Sequence, residues 1–574
     1  MQIIKSLLKV IVFVCPVTAT AQSTYLYQGS KETRFIERLE IKQQTNTNLN
    51  FSTLKPFNRK YIVQEVEFLD SARMGYKDST GVDMHREWTD LDLTPVDEYN
   101  MRSLLMNSSE WVTTPREDFL SKKPIWNTFY KTQANFLEVN NKDFFLAVNP
   151  VLQIRQAVEP GYKEGIFLNS RGVSLRGMIA KKVGFASIIT ENQERGPQFF
   201  QEYVNSTRSV PGAGFYKNFK KTGVDYFDAR GYVTFNAAKF IDFQFGYDKN
   251  FIGNGYRSLF LSDFGNSNLF LKVNTRIWKL NYQNLFMELM PQFTKKSDTL
   301  LDRKYAAMHH LSMNVTKWLN IGLFEGVIFG RRNRFDFEYL NPIIFYRHVE
   351  GTVGSPDNAV AGFDFKANVA HRLQFYGQFL LDEFRINEIR NVPKSWVNKF
   401  GIQLGAKYVD AFGVRNLDLQ FETNRVRPFT YSHNDTTANY THYNQPLAHP
   451  LGANFQEFIG VLHYQPGPRW NIDATAIYYY KGLDSAGTNF GGDIFKNYNT
   501  RNQPDDNFTL GNGARAKCLN ALLNISYEFR QNLFFEASLQ HRNYKIEGVS
   551  GQSNTTLVTA GIRLNMFRRE YNFN

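Results

Sequence analysis

The feature that most constrains this chain is a rhythm. From about Phe144 to Phe567 it reads as short stretches alternating apolar and polar residues, joined by connections that run short, long, short, long. A β-ribbon that crosses a bilayer many times makes that pattern, turning tightly on one side and looping generously on the other. Ala361, Phe363, Phe365, Ala367 and Val369 fall on one face, and Gly362, Asp364, Lys366 and Asn368 on the other. Leu417, Leu419 and Phe421 likewise oppose Asp418, Gln420, Glu422 and Asn424, and Leu519, Leu523, Ile525 and Phe529 oppose Asn520, Asn524, Ser526 and Glu528. Large apolar groups on one face and charges on the other imply lipid on one side and a wet or filled lumen on the other. A soluble β-sandwich also alternates, but it rarely does so over this length without a change of composition.

Strands are expected near 144–156, 172–179, 183–191, 232–237, 240–248, 269–277, 278–289, 308–316, 319–329, 359–370, 373–383, 400–409, 417–427, 458–464, 470–480, 518–529, 533–544 and 556–567. These are 18, an even number, as a barrel with both ends on one side requires. Short connections such as 180–182, 371–372 and 530–532 alternate with long ones such as 192–231, 330–358, 428–457 and 481–517. Short turns belong to the periplasm, so both ends of the barrel are expected there. The predicted fold is an all-β transmembrane barrel of about 18 antiparallel strands, residues 143–574, in the cell outer membrane.

The remaining composition agrees. Met1–Ala21 has the form of a secretory signal, with Lys5 and Lys9, an apolar run from Val10 to Val14, and Ala19-Thr20-Ala21 before the cut. Cys15 would leave with it, and Cys518 alone cannot form an internal disulfide. No window approaches the 18 uninterrupted apolar residues of a membrane helix, yet aromatics make up 15% of the chain and the mean hydropathy is −0.41. A barrel whose apolar surface is every second strand residue has that balance. The net charge of +13 fits anionic glycans or lipopolysaccharide phosphates at a cell surface, and nucleic acid is not an expected partner.

Residues 22–142 differ in character. Ile62, Val66 and Leu69 recur at helical spacing. Thr94-Pro95-Val96-Asp97 reads as an N-cap, a first-position proline and a first-turn acid leading into Met101, Leu104 and Leu105, and Thr114-Pro115-Arg116-Glu117 repeats the device. A small helical module is expected on the periplasmic side. It either plugs the barrel or docks a periplasmic or motility-machinery protein.

No enzyme signature is present: the chain has no G-x-S-x-G, no H-E-x-x-H and no C-x-x-C. His309 and His310 are adjacent on a strand, so their side chains face opposite ways and cannot share a metal. No cofactor or metal is expected. Two loops offer chemistry instead. The first, Tyr247 to Phe264, carries Asn250, Asn254, Tyr256, Arg257 and Asp263 around a Gly-x-Gly turn, a mixture of donors, acceptors and an aromatic face that suits a sugar. The alternative is a loop that folds into the lumen and satisfies itself. The second, Gly330 to His348, carries Arg331, Arg332, Arg334 and Arg347 among aromatic and acidic residues. Arginine forks suit uronic-acid carboxylates or sulfates, and the alternative is an internal Arg–Asp/Glu network bracing the lumen. The loop from Thr430 to Asn444, with Tyr431, His433, Tyr440, His442 and Tyr443, could also face a glycan.

The segment Phe251-Ile-Gly-Asn-Gly-Tyr-Arg-Ser-Leu-Phe-Leu-Ser-Asp-Phe264 resembles the Gly-rich turn and following apolar stretch of the Wzi-like capsule-assembly outer-membrane proteins, and in particular their gliding-motility RemB-like relatives in the Bacteroidota. Leu340-Asn341-Pro342 is a second point of similarity. Phe251-Ile252 and Asn254 depart from the family's Trp-rich and Gly-Pro pattern, so no family binding residue is carried over. The resemblance implies an 18-stranded barrel with a periplasmic helical bundle, acting as a lectin that binds surface or capsular polysaccharide for capsule or exopolysaccharide assembly or gliding adhesion. The alternative is an anion-preferring porin or transporter, with Lys272, Arg276, Lys366, Arg542 and Arg563 facing its lumen. Both singled-out loops follow strands that run outward and are expected on the same outer face.

Overall fold

The computed structural model describes residues 23–46, 48–73, 91–114, 116–293, 300–343, 345–354, 357–383, 386–485, 487–501, 504 and 507–573. The expected signal Met1–Ala21 and Pro115 lie outside the described residues.

Among these residues, eighteen long antiparallel strands close into one barrel. In chain order they are β1 Phe144–Val158, β2 Ile166–Ile179, β3 Val183–Arg195, β4 Gly223–Ala238, β5 Ile241–Asp248, β6 Asn268–Ile277, β7 Leu280–Leu289, β8 Lys304–Asn314, β9 Leu319–Phe329, β10 Asn358–Val369, β11 Leu373–Glu383, β12 Lys399–Tyr408, β13 Leu417–Val426, β14 Phe455–Gly467, β15 Trp470–Leu483, β16 Ala514–Arg530, β17 Leu533–Ile546 and β18 Gln552–Leu564. Closure is made by β18 against β1, with Val558 opposite Val158 and Leu564 opposite Leu152. Short strands Leu137–Asn140 and Lys217–Phe219 add to β1 and β4.

Every expected strand is present, and most of the extra length lies at the long-loop end. There β2 begins at Ile166, β4 at Gly223 and β16 at Ala514. Backbone pairing continues above the lipid band, but side chains there no longer face lipid, so the period-two apolar signal fades first.

Burial is inverted relative to a soluble protein. Outward-facing Phe421 is 55% and Phe529 48% exposed, whereas Asp364 and Glu422 in the lumen are fully buried. Trp278, Trp318 and Trp470 are exposed at the short turns, where aromatic rings mark a membrane boundary. One connection at that end is longer than a tight turn, 409–416, which carries the single 3-10 turn Ala411–Gly413.

Before the barrel, helices α1 Lys31–Gln43, α2 Arg59–Arg73 and α3 Pro95–Met106 bury Ile36, Leu39, Ile62, Val63, Val66, Met101, Leu104 and Leu105 in a small core of their own. Helix α3 begins as its sequence predicts. Thr94 Oγ1 accepts the Asp97 N–H at 3.1 Å, and Asp97 Oδ2 accepts the Thr94 N–H at 3.0 Å. The Arg116-Glu117 segment makes only the 3-10 turn Glu117–Phe119; Arg116 pairs with Asp70 at 2.6 Å, and Phe119 turns into the helical core. Three further helices lie in long connections among the described residues, α4 Gln198–Thr207, α5 Tyr346–Val353 and α6 Ile386–Asn391.

Candidate functional site

The lumen is filled from the short-turn end by α1. Arg38 donates to Asp97 and Asp410, each at 2.7 Å, and also pairs with Asp418; Lys42 bonds Asp97 at 2.8 Å. Glu40 faces Lys366 at 2.8 Å, and Lys31 reaches Glu528 at 2.5 Å. Glu37 accepts from Lys407 at 2.8 Å and pairs with Lys55. Burial opposes the Glu37 charge, yet those two lysines outweigh it and hold the carboxyl down at about 2. The inward charges read on the strands are thus answered by charges on a helix.

The loop 249–267 enters the lumen from the opposite end and meets this module. Phe251 and Ile252 pair with Lys55 and Leu54, and Gly253 N donates to Thr53 O at 2.8 Å. Glu422 accepts the N–H groups of Tyr256 (2.6 Å) and Arg257 (3.1 Å), and Gln378 accepts that of Leu259 at 2.8 Å. A Cβ on Gly255 would collide with the Glu422 carboxylate, which is why the turn needs glycine there. From above, the hydroxyls of Tyr431 and Tyr440 donate to Leu259 O (2.7 Å) and Phe260 O (2.6 Å).

Placement of the first candidate set on the outer face is therefore corrected. Asn250, Asn254 and Arg257 are buried. Asn250 Oδ1 accepts from Lys272 at 3.1 Å, and Asn254 Oδ1 accepts from Thr53 at 3.1 Å. Arg257 donates to Asn572 O at 2.6 Å, Tyr256 bonds the Asn572 amide, and the Asp263 carbonyl accepts from Lys249 at 2.9 Å. Lumen side chains from β11 and β13 supply the partners that bulk water would otherwise supply, and the loop follows them inward.

The second set lies on the other side of the wall. Residues 330–343 and 345–354 fold down over the outward faces of β7, β8 and β9. The Tyr346 ring sits 4.0 Å from that of His309, Arg347 N donates to Glu325 Oε1 at 3.2 Å, and Tyr282 bonds the Pro342 carbonyl. Arg331 reaches Asp357 at 2.5 Å and Asp336 at 3.3 Å, and Tyr339 donates to Asp357 at 2.6 Å. The Arg–Asp network weighed as a lumen brace exists, but it braces a loop outside the barrel. Arg332 and Arg334 are exposed, and Arg347, also exposed, pairs with Glu350 at 2.7 Å. The structure does not bring the two sets together. His310 faces the lumen and bonds Asp364 at 2.7 Å, opposite in direction to His309. Among the described residues no three of His, Cys, Asp and Glu are grouped to hold a metal.

Two sizeable cavities lie among the described residues, one at each end of the lumen. A lower chamber of about 390 Å³ lies beside α1, lined by Arg34, Glu37, Arg38, Tyr256, Asp418, Asp473, Glu528 and Arg568, most of them already in ion pairs. The larger, about 690 Å³, opens at the long-loop end. Its rings are Tyr203, Phe293, Tyr479, Phe495, Tyr544 and Phe573, and its polar groups include Arg208, Asn444, Lys481, Asp484, Asp493 and Lys496. Cavities of this size bury small ligands, and aromatic faces among a few hydrogen-bonding groups match the apolar C–H face and hydroxyl edges of a pyranose. Sequence reasoning reached only Asn444 of this lining. The others come from four separate connections, three strands and the segment after β18, and aromatic residues are too frequent in this chain to mark a site.

Residues 143–570 match the family model for capsule assembly protein Wzi. No curated protein matches the chain by sequence. Among solved structures, Wzi of Escherichia coli, an outer-membrane protein involved in group 1 capsule assembly and described as a carbohydrate-binding β-barrel, aligns at 13% identity. The alignment covers 96% of this chain and 100% of that one, with a TM-score of 0.54. OprD of Pseudomonas aeruginosa aligns at 12% identity over 74% of this chain and 95% of its own, TM-score 0.40. OccAB2 of Acinetobacter baumannii aligns at 7% over 73% and 97%, TM-score 0.41.

Proposed function

We propose that this chain, which belongs to the Wzi capsule assembly family, holds surface polysaccharide in the outer cleft as a non-enzymatic, lectin-like barrel of the outer membrane. The cleft of about 690 Å³, open at the long-loop end and closed beneath by packed chain, is the observation that carries the reading. Both ends of the barrel and the three N-terminal helices lie with the short turns, the arrangement of a protein whose termini face the periplasm and whose loops face out. Polysaccharide held there would serve capsule or exopolysaccharide assembly, or, in the setting of the gliding-motility relatives, adhesion during gliding. Exposed Arg332 and Arg334 would meet lipopolysaccharide phosphates, and a periplasmic or motility-machinery partner would meet the underside of the helices.

The porin alternative is less well supported. Lys366 pairs with Glu40 at 2.8 Å and Arg563 with Glu536 at 2.9 Å; Lys272 is bonded to Asn250, and Arg276 and Arg542 stack on Phe51 and Phe199. These cations hold the lumen filling rather than line a path.

Washed cells lacking the protein are expected to secrete polysaccharide normally and retain less of it; equal retention removes the proposal. Large, steady openings of the purified protein in a planar bilayer would favour the pore.

A further inference from the structure

The segment that follows β18 does not leave the barrel. It turns back at the short-turn end and climbs through the lumen. Arg568 bonds Asp473 at 3.0 Å and Glu536 at 3.1 Å, and Arg569 bonds Asp228 at 2.9 Å. Higher up, Tyr571 donates to Glu194 at 2.5 Å, while its carbonyl accepts from Gln540 (2.7 Å) and Asn520 (3.1 Å). Asn572 then meets Tyr256 and Arg257 of the inward loop. Phe573, 4% exposed, ends under α4, with its ring 5.0 Å from Tyr203 and 6.1 Å from Phe199. Tyr571 packs on Phe200 at 5.5 Å.

This path separates the two cavities. Tyr256, Arg568 and Glu570 line the lower chamber, and Phe573 lines the outer cleft. The knot of Asn572 with Tyr256 and Arg257 lies between them. The inward face of helix α4, Phe199, Phe200 and Val204, shares one apolar cluster with Tyr571 and Phe573 and with Ile166, Val224 and Leu557 of the barrel wall. The same helix presents Tyr203, and its C-cap residue Arg208, to the cleft.

We propose that residues 571–573 are positioning residues of the polysaccharide site: they form its inner floor and carry the helix that supplies one of its walls. The inference rests on the reading of the outer cleft as that site. A ligand entering from the loop side then stops at this floor, which makes the barrel a holder and not a conduit. The packing of α4 on this segment is steric and aromatic, so it depends on the rings of Tyr571 and Phe573.

Cys518 supplies a readout independent of any glycan. It is buried on the lumen face and pairs across the sheet with Tyr479 on one side and Tyr544 on the other, both of which line the cleft. Arg542 covers this region, stacked between Phe199 of α4 at 4.7 Å and Tyr544 at 4.8 Å. Loosening α4 therefore uncovers the thiol from outside.

The experiment uses the full-length protein in outer membranes, with Phe573→Ala and Tyr571→Ala made singly and together, and with barrel assembly checked by heat-modifiable migration. Labelling of Cys518 by an impermeant maleimide, located by peptide mass, is expected to rise about tenfold in the double variant, the scale of opening that follows loss of a few aromatic contacts. Retention of purified capsular polysaccharide by the same membranes should fall by a similar factor. The milder Asn572→Ala keeps both rings, and its effect should be smaller on both readouts. Unchanged labelling in an assembled double variant overturns the positioning role. Raised labelling with undiminished retention overturns the link to the site. Failure of the unmodified protein to retain any polysaccharide, with labelling still raised, overturns instead the underlying reading of the cleft.

Discussion

The two loops that stand out in the sequence end on opposite sides of one wall. Loop 249–267 goes in and loop 330–357 goes out, although both carry glycines, aromatic residues and at least one arginine. The inward loop is held through its backbone, which finds Glu422 and Gln378 waiting on the lumen side of β13 and β11. The outward loop is held through its rings: Tyr339, Tyr346 and Phe335 lie on Phe329, His309 and Phe286. It covers polar outward positions, His309 and Glu325, that would be costly against lipid. The nature of the facing wall, more than the composition of the loop, decides the direction.

Acid should separate the two regions most strongly. Asp97 is held at about 2, burial opposing its charge but Arg38 and Lys42 prevailing, and Glu37 is likewise held at about 2 by Lys407 and Lys55. Both folded values lie below the ordinary carboxylate range, so this stabilisation is complete above about pH 5 and is lost as the pH falls through 4 toward 2. Limited proteolysis with an acid-active protease should release the N-terminal helices in that window before it cuts 330–357; the reverse order would break the comparison.

Glu422→Ala should come next. It strands the N–H groups of Tyr256 and Arg257 and the Tyr376 hydroxyl, at a cost of about 3 kcal/mol. A lowered urea midpoint in detergent, together with new cleavage inside 249–267, is the expected result. Tyr346→Ala should act locally, costing the outer loop about 2 kcal/mol. Cleavage within 330–357 should accelerate while the urea midpoint of the barrel stays in place. Smallest of all, Arg332→Ala with Arg334→Ala should change stability by less than about 0.5 kcal/mol. If that pair lowers polysaccharide retention, the outer loop belongs to the site after all and the comparison needs redrawing.

The strands were legible because lipid imposes a period on them. Phe363 and Leu523 must face out and Asp364 and Asn524 must face in, and no distant residue is needed to say so. The Thr94 cap was legible for the same reason, since its capping box joins Thr94 to Asp97, only three residues on. The course of loop 249–267 was not. Its partners Gln378 and Glu422 lie more than 110 residues further on, and only closure of the barrel brings them near. The outer cleft was hidden more deeply, because Tyr203, Tyr479, Tyr544 and Phe573 have no local pattern in common and meet only where long connections converge.

Helix α1 reaches several strands that are far apart around the ring: Lys366 on β10, Lys407 on β12, Asp473 on β15 and Glu528 on β16. A closed sheet resists stretching along its hydrogen bonds but yields easily to flattening, as a hoop does. A charged rod fixed at several points of the rim works as a tie-bar against that deformation. The cross-section of the barrel is in this sense a property of a helix, and the spacing of the cleft walls above is inherited from it.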